Sequence, residues 1–85
     1  MSVIRIFGST DCDDCRLAMS YLEDLSLDYE YIDAFSEESK IEKLCDDYDV
    51  DELPHVQVLN KKGRVISEFI GIDDFISNIG KVFRN

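Results

Sequence analysis

Eighty-five residues, 45% hydrophobic and 33% charged, make a single small domain (1–85) with a thin core, neither disordered nor membrane-embedded. The formal net charge of -10, from 19 acidic and 9 basic residues, opposes binding to nucleic acid or to an anionic membrane surface. Three cysteines are an odd number, which argues against a secreted disulfide scaffold, and no apolar run is long enough to cross a bilayer.

A chain that opens Met1-Ser2-Val3 and enters a strand at once leaves no room for a signal peptide, so the expected compartment is reducing: the cytoplasm. Val3 to Phe7 is the first predicted strand, apolar at Val3, Ile4, Ile6 and Phe7. Cys12-Asp13-Asp14-Cys15 comes next, and a helix is predicted from Asp13 to about Leu25. Its apolar positions Leu17, Ala18, Tyr21, Leu22 and Leu25 recur at helical spacing, and the two aspartates of its first turn suit the dipole. Strand, C-x-x-C and helix is the order that dithiol–disulfide chemistry needs. The helix start lowers the pKa of the first cysteine through unpaired N–H groups, and the two-residue spacing keeps the second thiol within one turn. The competing reading is a structural or metal-binding pair. A structural zinc wants four ligands, however, and the remaining candidates are only Cys45 and His55, so no metal is expected.

A second strand, Tyr29 to Ile32, follows a tight connection at Ser26 to Asp28. Ser36-Glu37-Glu38-Ser39 opens a second helix with a serine N-cap and an apolar stripe of Ile41, Leu44, Cys45 and Tyr48. Cys45 is expected in the core, and the tyrosines 21, 29, 31 and 48 in the core or at its boundary. Beyond the acidic stretch Asp46 to Glu52 stands Pro54, the only proline. His55 to Leu59 and Val65 to Ile70 flank Asn60-Lys61-Lys62-Gly63, a hairpin signature. His55 is expected at the surface. Gly71 ends the last strand, and Ile72 to Val82 forms a closing helix with Phe75, Ile76 and Ile79 on one face. The order β-α-β-α-β-β-α predicts an α/β domain, a four-stranded mixed sheet flanked by three helices. Its first two strands pair in parallel through a right-handed crossover.

That order, the C-x-x-C after the first strand, Leu53-Pro54-His55-Val56 and Gly71-Ile72-Asp73-Asp74 together resemble the thioredoxin superfamily, and specifically a compact glutaredoxin, over essentially the whole chain. The resemblance implies a thioredoxin-like (glutaredoxin) fold and a cis Leu53–Pro54 bond. Such a turn offers the backbone of Leu53 to a peptide or to glutathione as if extending the sheet. It implies that Cys12 is the nucleophile and Cys15 the resolving thiol. Leu53, Pro54, Gly71, Asp73 and Asp74 would bind substrate or glutathione. Two departures qualify it: Ser9 stands where glutaredoxins usually carry a lysine, and Asp13-Asp14 replaces their usual Pro-Tyr. Two carboxylates beside Cys12 disfavour its thiolate, with Arg16 the nearest cation in sequence. The expected Cys12 pKa is therefore higher than is usual in the family, and the dithiol more reducing.

The function implied is a dithiol–disulfide oxidoreductase that reduces protein or glutathione mixed disulfides and donates electrons to enzymes such as ribonucleotide reductase. Glutathione (as co-substrate) or a flavin-dependent thioredoxin reductase would recharge it, no cofactor would be bound permanently, and the chain would be a monomer. Its charge favours disulfide-containing protein partners with basic docking faces, although acidic faces also simply confer solubility. The alternatives are an iron–sulfur cluster-binding module, ligated through Cys12 and glutathione, and a redox-inert adaptor.

Overall fold

The computed structural model describes residues 3–83, and over these the alternation of strands and helices is as expected. β1 (Val3–Gly8), α1 (Asp13–Asp24), β2 (Tyr29–Asp33), α2 (Ser39–Asp47), β3 (His55–Leu59), β4 (Val65–Ile70) and α3 (Ile72–Val82) follow in chain order. The sheet runs β2-β1-β3-β4, with β1 parallel to β2 and antiparallel to β3, and β3 antiparallel to β4. No described helix is long and apolar enough to cross a membrane.

Side chains alternate across a strand, so each strand supplies both faces of the sheet. One face is apolar: Ile4, Ile6, Val56, Val58 and Phe69 pack against Ala18 and Leu22 of α1 and Phe75 and Ile79 of α3. Phe75 meets the rings of Tyr21 and Phe69 edge-on, at 5.8 and 6.4 Å between centroids. Each large apolar side chain removed from water here contributes about 1.5–3 kcal/mol. The buried stripe of α1 is narrower than its apolar pattern, comprising Cys15, Ala18 and Leu22, while Leu17 and Leu25 face solvent. The helix lies on the sheet with one side only, and the neighbouring positions are rotated out of the contact.

The opposite face is polar near its centre. His55, expected at the surface, is 1% exposed. β3 lies between β1 and β4, and all five of its residues are buried, so position 55 is covered whichever face it takes. Its Nε2 lies 2.7 Å from Glu68 Oε2, which also accepts a hydrogen bond from Gln57 Nε2 at 3.1 Å. Gln57 Oε1 in turn accepts from Arg5 Nε and Nη2 at 2.9 and 2.6 Å, and the guanidinium lies 5.6 Å from the rings of both Phe7 and Tyr48. Arg5, Gln57 and Glu68 are direct register neighbours, so the sheet itself aligns this ladder. It also explains how so thin a domain buries polar side chains: nearly every one has a partner.

α2 starts two residues later than a Ser36 N-cap would place it. Ser36 Oγ accepts instead from Glu38 N at 3.2 Å, closing a local turn before the helix, and Glu38 becomes the N-cap without a side-chain bond. No residue of α2 is fully buried. Cys45 is therefore half-buried rather than core, with its thiol directed at Ala34 O, and burial followed by the charge of Asp46 pushes its pKa up.

Burial would raise the Glu68 carboxyl, but hydrogen bonds from His55 and Gln57 and the charge of His55 outweigh it and hold the pKa below its ordinary 4.5. A carboxyl depressed on folding contributes stability that is complete above its unfolded pKa and lost as pH falls through the folded one. Denaturant midpoints should therefore drop below pH 4.5 in the wild type. Glu68→Gln should lower the midpoint at neutral pH and flatten that acid limb.

Candidate active site

The strand register collects the C-x-x-C loop, the proline turn and the start of α3 at one edge of the sheet. β1 ends at Gly8, opposite Asp33 of β2. Phe7 pairs with His55 and His55 with Ile70, so Pro54 enters β3 and Gly71 leaves β4 at this same edge.

The chain turns out of β1 through Ser9, whose carbonyl accepts from Cys12 N at 3.2 Å. Cys12 is the N-cap of α1, with extended backbone (φ -99, ψ 109), and its Sγ accepts from Cys15 N at 3.1 Å. A cap position is where a helix has spare N–H groups. Here one of them points at sulfur. Cys12 is partly exposed and Cys15 fully buried. Their sulfurs lie at disulfide distance with the Cα atoms 5.2 Å apart, inside the usual range for a bridged pair.

Asp13 and Asp14 are exposed beside this pair. Arg16 forms an ion pair with Asp13 and donates to Thr10 O at 2.6 Å, so the cation clasps the loop to the helix and offsets one of the two charges.

The Leu53–Pro54 peptide bond is cis. Pro54 O accepts from Gly71 N at 2.8 Å, which ties the proline turn to the start of α3. Gly71 is the N-cap of α3 at φ 87, a conformation glycine adopts without a Cβ penalty, and a Cβ there would also meet the Glu52 carboxylate. Asp74 Oδ2 accepts from Ile70 N at 3.0 Å and its Oδ1 from Asn78 Nδ2 at 2.9 Å. Of the residues expected to meet glutathione, Gly71 thus donates its N–H, and Asp74 accepts two hydrogen bonds, within the protein itself. Asp73 is exposed, and the Leu53 N–H and C=O pair with no other backbone group among the described residues. No cluster of three or more His, Cys, Asp or Glu side chains suited to a metal ion occurs among the described residues.

No protein-family model matches the chain, and no curated protein does. Solved structures do. The germline-specific thioredoxin Deadhead from Drosophila melanogaster superposes with a TM-score of 0.72 at 21% identity, over 99% of this chain and 81% of that one. Thioredoxin f2 from Chlamydomonas reinhardtii gives 0.70 at 17% identity, over 95% and 78%. Thioredoxin O2 from Arabidopsis thaliana in its oxidised state gives 0.66 at 18% identity, over 100% and 76%. The fold is thioredoxin-like.

Within this thioredoxin-like frame one further residue shapes the site: Gly8. A Cβ on Gly8 would stand 3.1 Å from both Cβ and Sγ of Cys15 and 3.2 Å from Cε1 of Tyr31. A β-carbon here would be tighter than ordinary contact, so Cys15 and Tyr31 would have to give by a few tenths of an ångström. The signal in the sequence was a glycine closing a buried strand just before the C-x-x-C loop, which often marks close approach. Gly8→Ala should push Cys15 and Tyr31 apart and cost about 1–3 kcal/mol, as overpacking does. Urea unfolding, together with thiol counting before and after reduction, checks both the stability loss and the position of the pair.

Proposed function

We propose that this chain is a dithiol–disulfide oxidoreductase of the thioredoxin and glutaredoxin kind, acting on protein disulfides. The observation that carries the reading is the Cys12–Cys15 pair at disulfide distance on the N-terminus of α1, with the Cys15 amide donating to Cys12 Sγ. In the reduced protein the same helix terminus favours a Cys12 thiolate. Cys12 attacks a substrate disulfide, forming a mixed disulfide and releasing the first substrate thiolate, which takes a proton from solvent. Cys15 then attacks Cys12 Sγ, closing the internal disulfide and releasing the second thiolate. Two electrons pass from the dithiol to the substrate, and the second step is fast because it is intramolecular.

Leu53, Pro54, Gly71, Asp73 and Asp74 line the docking edge in this proposal. Leu53 offers unpaired backbone to an extended segment, Pro54 and Gly71 hold the turn, and Asp73 supplies an exposed charge beside Asp74. Asp13 and Asp14 weigh against the thiolate and Arg16 partly offsets them, which makes the pair a reducing one. The partners are disulfide-containing proteins with basic docking faces, ribonucleotide reductase being an example of the class, and the protein acts as a cytoplasmic monomer without a resident cofactor. Oxidised glutathione carries net negative charge and meets a rim of Asp11, Asp13, Asp14 and Asp73. With Ser9 in place of a lysine, and Gly71 N–H and Asp74 already occupied, a thioredoxin reductase is the better electron donor and glutathione the poorer co-substrate.

The test is reduction of the oxidised protein by glutathione, against reduction by thioredoxin reductase with NADPH. Faster turnover with the reductase is expected; faster turnover with glutathione would reverse the donor assignment and place the chain with glutaredoxins in function. Cys12→Ser should abolish turnover. Cys15→Ser should instead accumulate a mixed disulfide, visible as added mass that a reductant removes.

A further inference from the structure

The second half of that reaction has an unsolved electrostatic demand, because Cys15 must become a thiolate where it is fully buried. Burial raises a thiol pKa, and Asp13, Asp14 and Asp33 around the site oppose a further negative charge. The helix amide that could help, Cys15 N–H, is directed at Cys12. In the oxidised state Cys15 Sγ receives no hydrogen bond among the described residues.

Tyr31 approaches the same space beside Gly8 as this sulfur. It lies on β2, opposite Ile6 in the parallel register and two residues before Asp33. Its Cε1 reaches within 3.2 Å of the same point above Gly8 that Cys15 Cβ and Sγ reach within 3.1 Å, so ring and sulfur share the glycine window. Cε1 is bonded to the carbon that carries the phenol oxygen, and the side chain is 36% exposed, so it bridges the buried thiol and solvent. His55, the other titratable group near this edge, belongs with Phe7 and its partner Glu68, on the opposite face from Ile6.

Resting on the dithiol reading above, we propose that Tyr31 is a positioning residue for the resolving step. Its ring holds Cys15 against Gly8, and its hydroxyl donates a hydrogen bond to the Cys15 sulfur once the disulfide is open. The phenol is a donor throughout and does not take the thiol proton, which leaves to solvent before Cys15 attacks Cys12. Burial first, and the charge of Asp33 second, push the Tyr31 pKa above its ordinary 10.0, so the hydroxyl stays protonated where thiols titrate. Arg16, the only cation of the first turn of α1, is bound to Asp13 and Thr10 and leaves the role to Tyr31.

The test uses reduced protein carrying Cys45→Ala, mixed with one equivalent of a neutral dipyridyl disulfide. Each of the two released chromophores reports one step: attack by Cys12, then resolution by Cys15. Tyr31→Phe keeps the ring and removes only the hydroxyl. It should leave the first phase unchanged and slow the second about tenfold at neutral pH, the worth of one hydrogen bond to a charged group. The difference should vanish at alkaline pH, where Cys15 is ionised without help. A second phase in Tyr31→Phe with wild-type rate and pH profile would overturn the role of the hydroxyl. Release of a single chromophore by the wild type would instead refute the dithiol mechanism itself, and this inference with it.

Discussion

The close approach of Cys15 to Gly8 shapes the cysteine-bearing end of this molecule. A helix that follows a strand by a short loop can sit on the sheet at many heights, and the bare backbone of Gly8 leaves room for the close approach seen here. Because Gly8 presents bare backbone, α1 approaches until Cys15 touches the strand end. Cys12 is thereby left at the helix cap, half in solvent, with the Cys15 amide facing its sulfur.

The sheet divides its labour between its faces. The face under α1 and α3 is a conventional apolar core, and it anchors the helix on whose first turn the cysteines sit. The other face carries the Arg5–Gln57–Glu68–His55 ladder beneath a helix with no fully buried residue. Such a ladder is costly if any member is removed, since each buried polar group would lose its partner. Its cross-strand bonds hold β1, β3 and β4 in the register that brings Gly8, Pro54 and Gly71 to one edge. The polar face is therefore part of how the candidate site is assembled, although it holds neither cysteine of the pair.

Charge at the reactive edge is one-sided. Arg16 is spent on Asp13, and Asp74 on the N–H of Ile70 and on Asn78. Asp11, Asp13, Asp14 and Asp73 face solvent at this end of the sheet, with Arg16 the exposed cation among them. The thioredoxin-like frame, shared with proteins at 17–21% identity, fixes where the dithiol stands. The charges around it are this chain's own.

Element order, the α/β class and the place of the C-x-x-C loop were legible in the sequence by itself, because period-two and helical apolar patterns, a turn-rich hairpin loop and a glycine after the last strand are local signals. The last two strands and the closing helix fall on their expected residues for that reason. The cysteine pair was legible too, since its spacing is itself the geometric requirement. What depended on neighbours was not. His55 looked like a surface residue until β3 proved to be interior, flanked by β1 and β4. Cys45 and Leu17 lost their expected burial because a helix resting on a sheet by one narrow stripe leaves adjacent apolar positions outside. The bonds of Asp74 with Ile70 N–H and Asn78, and of Gly71 N–H with Pro54 O, also arise only in the folded chain. Gly8 and Tyr31 are far apart in sequence, and parallel strand register brings Tyr31 to the space beside Gly8 that Cys15 also enters, a relation that tertiary structure alone creates.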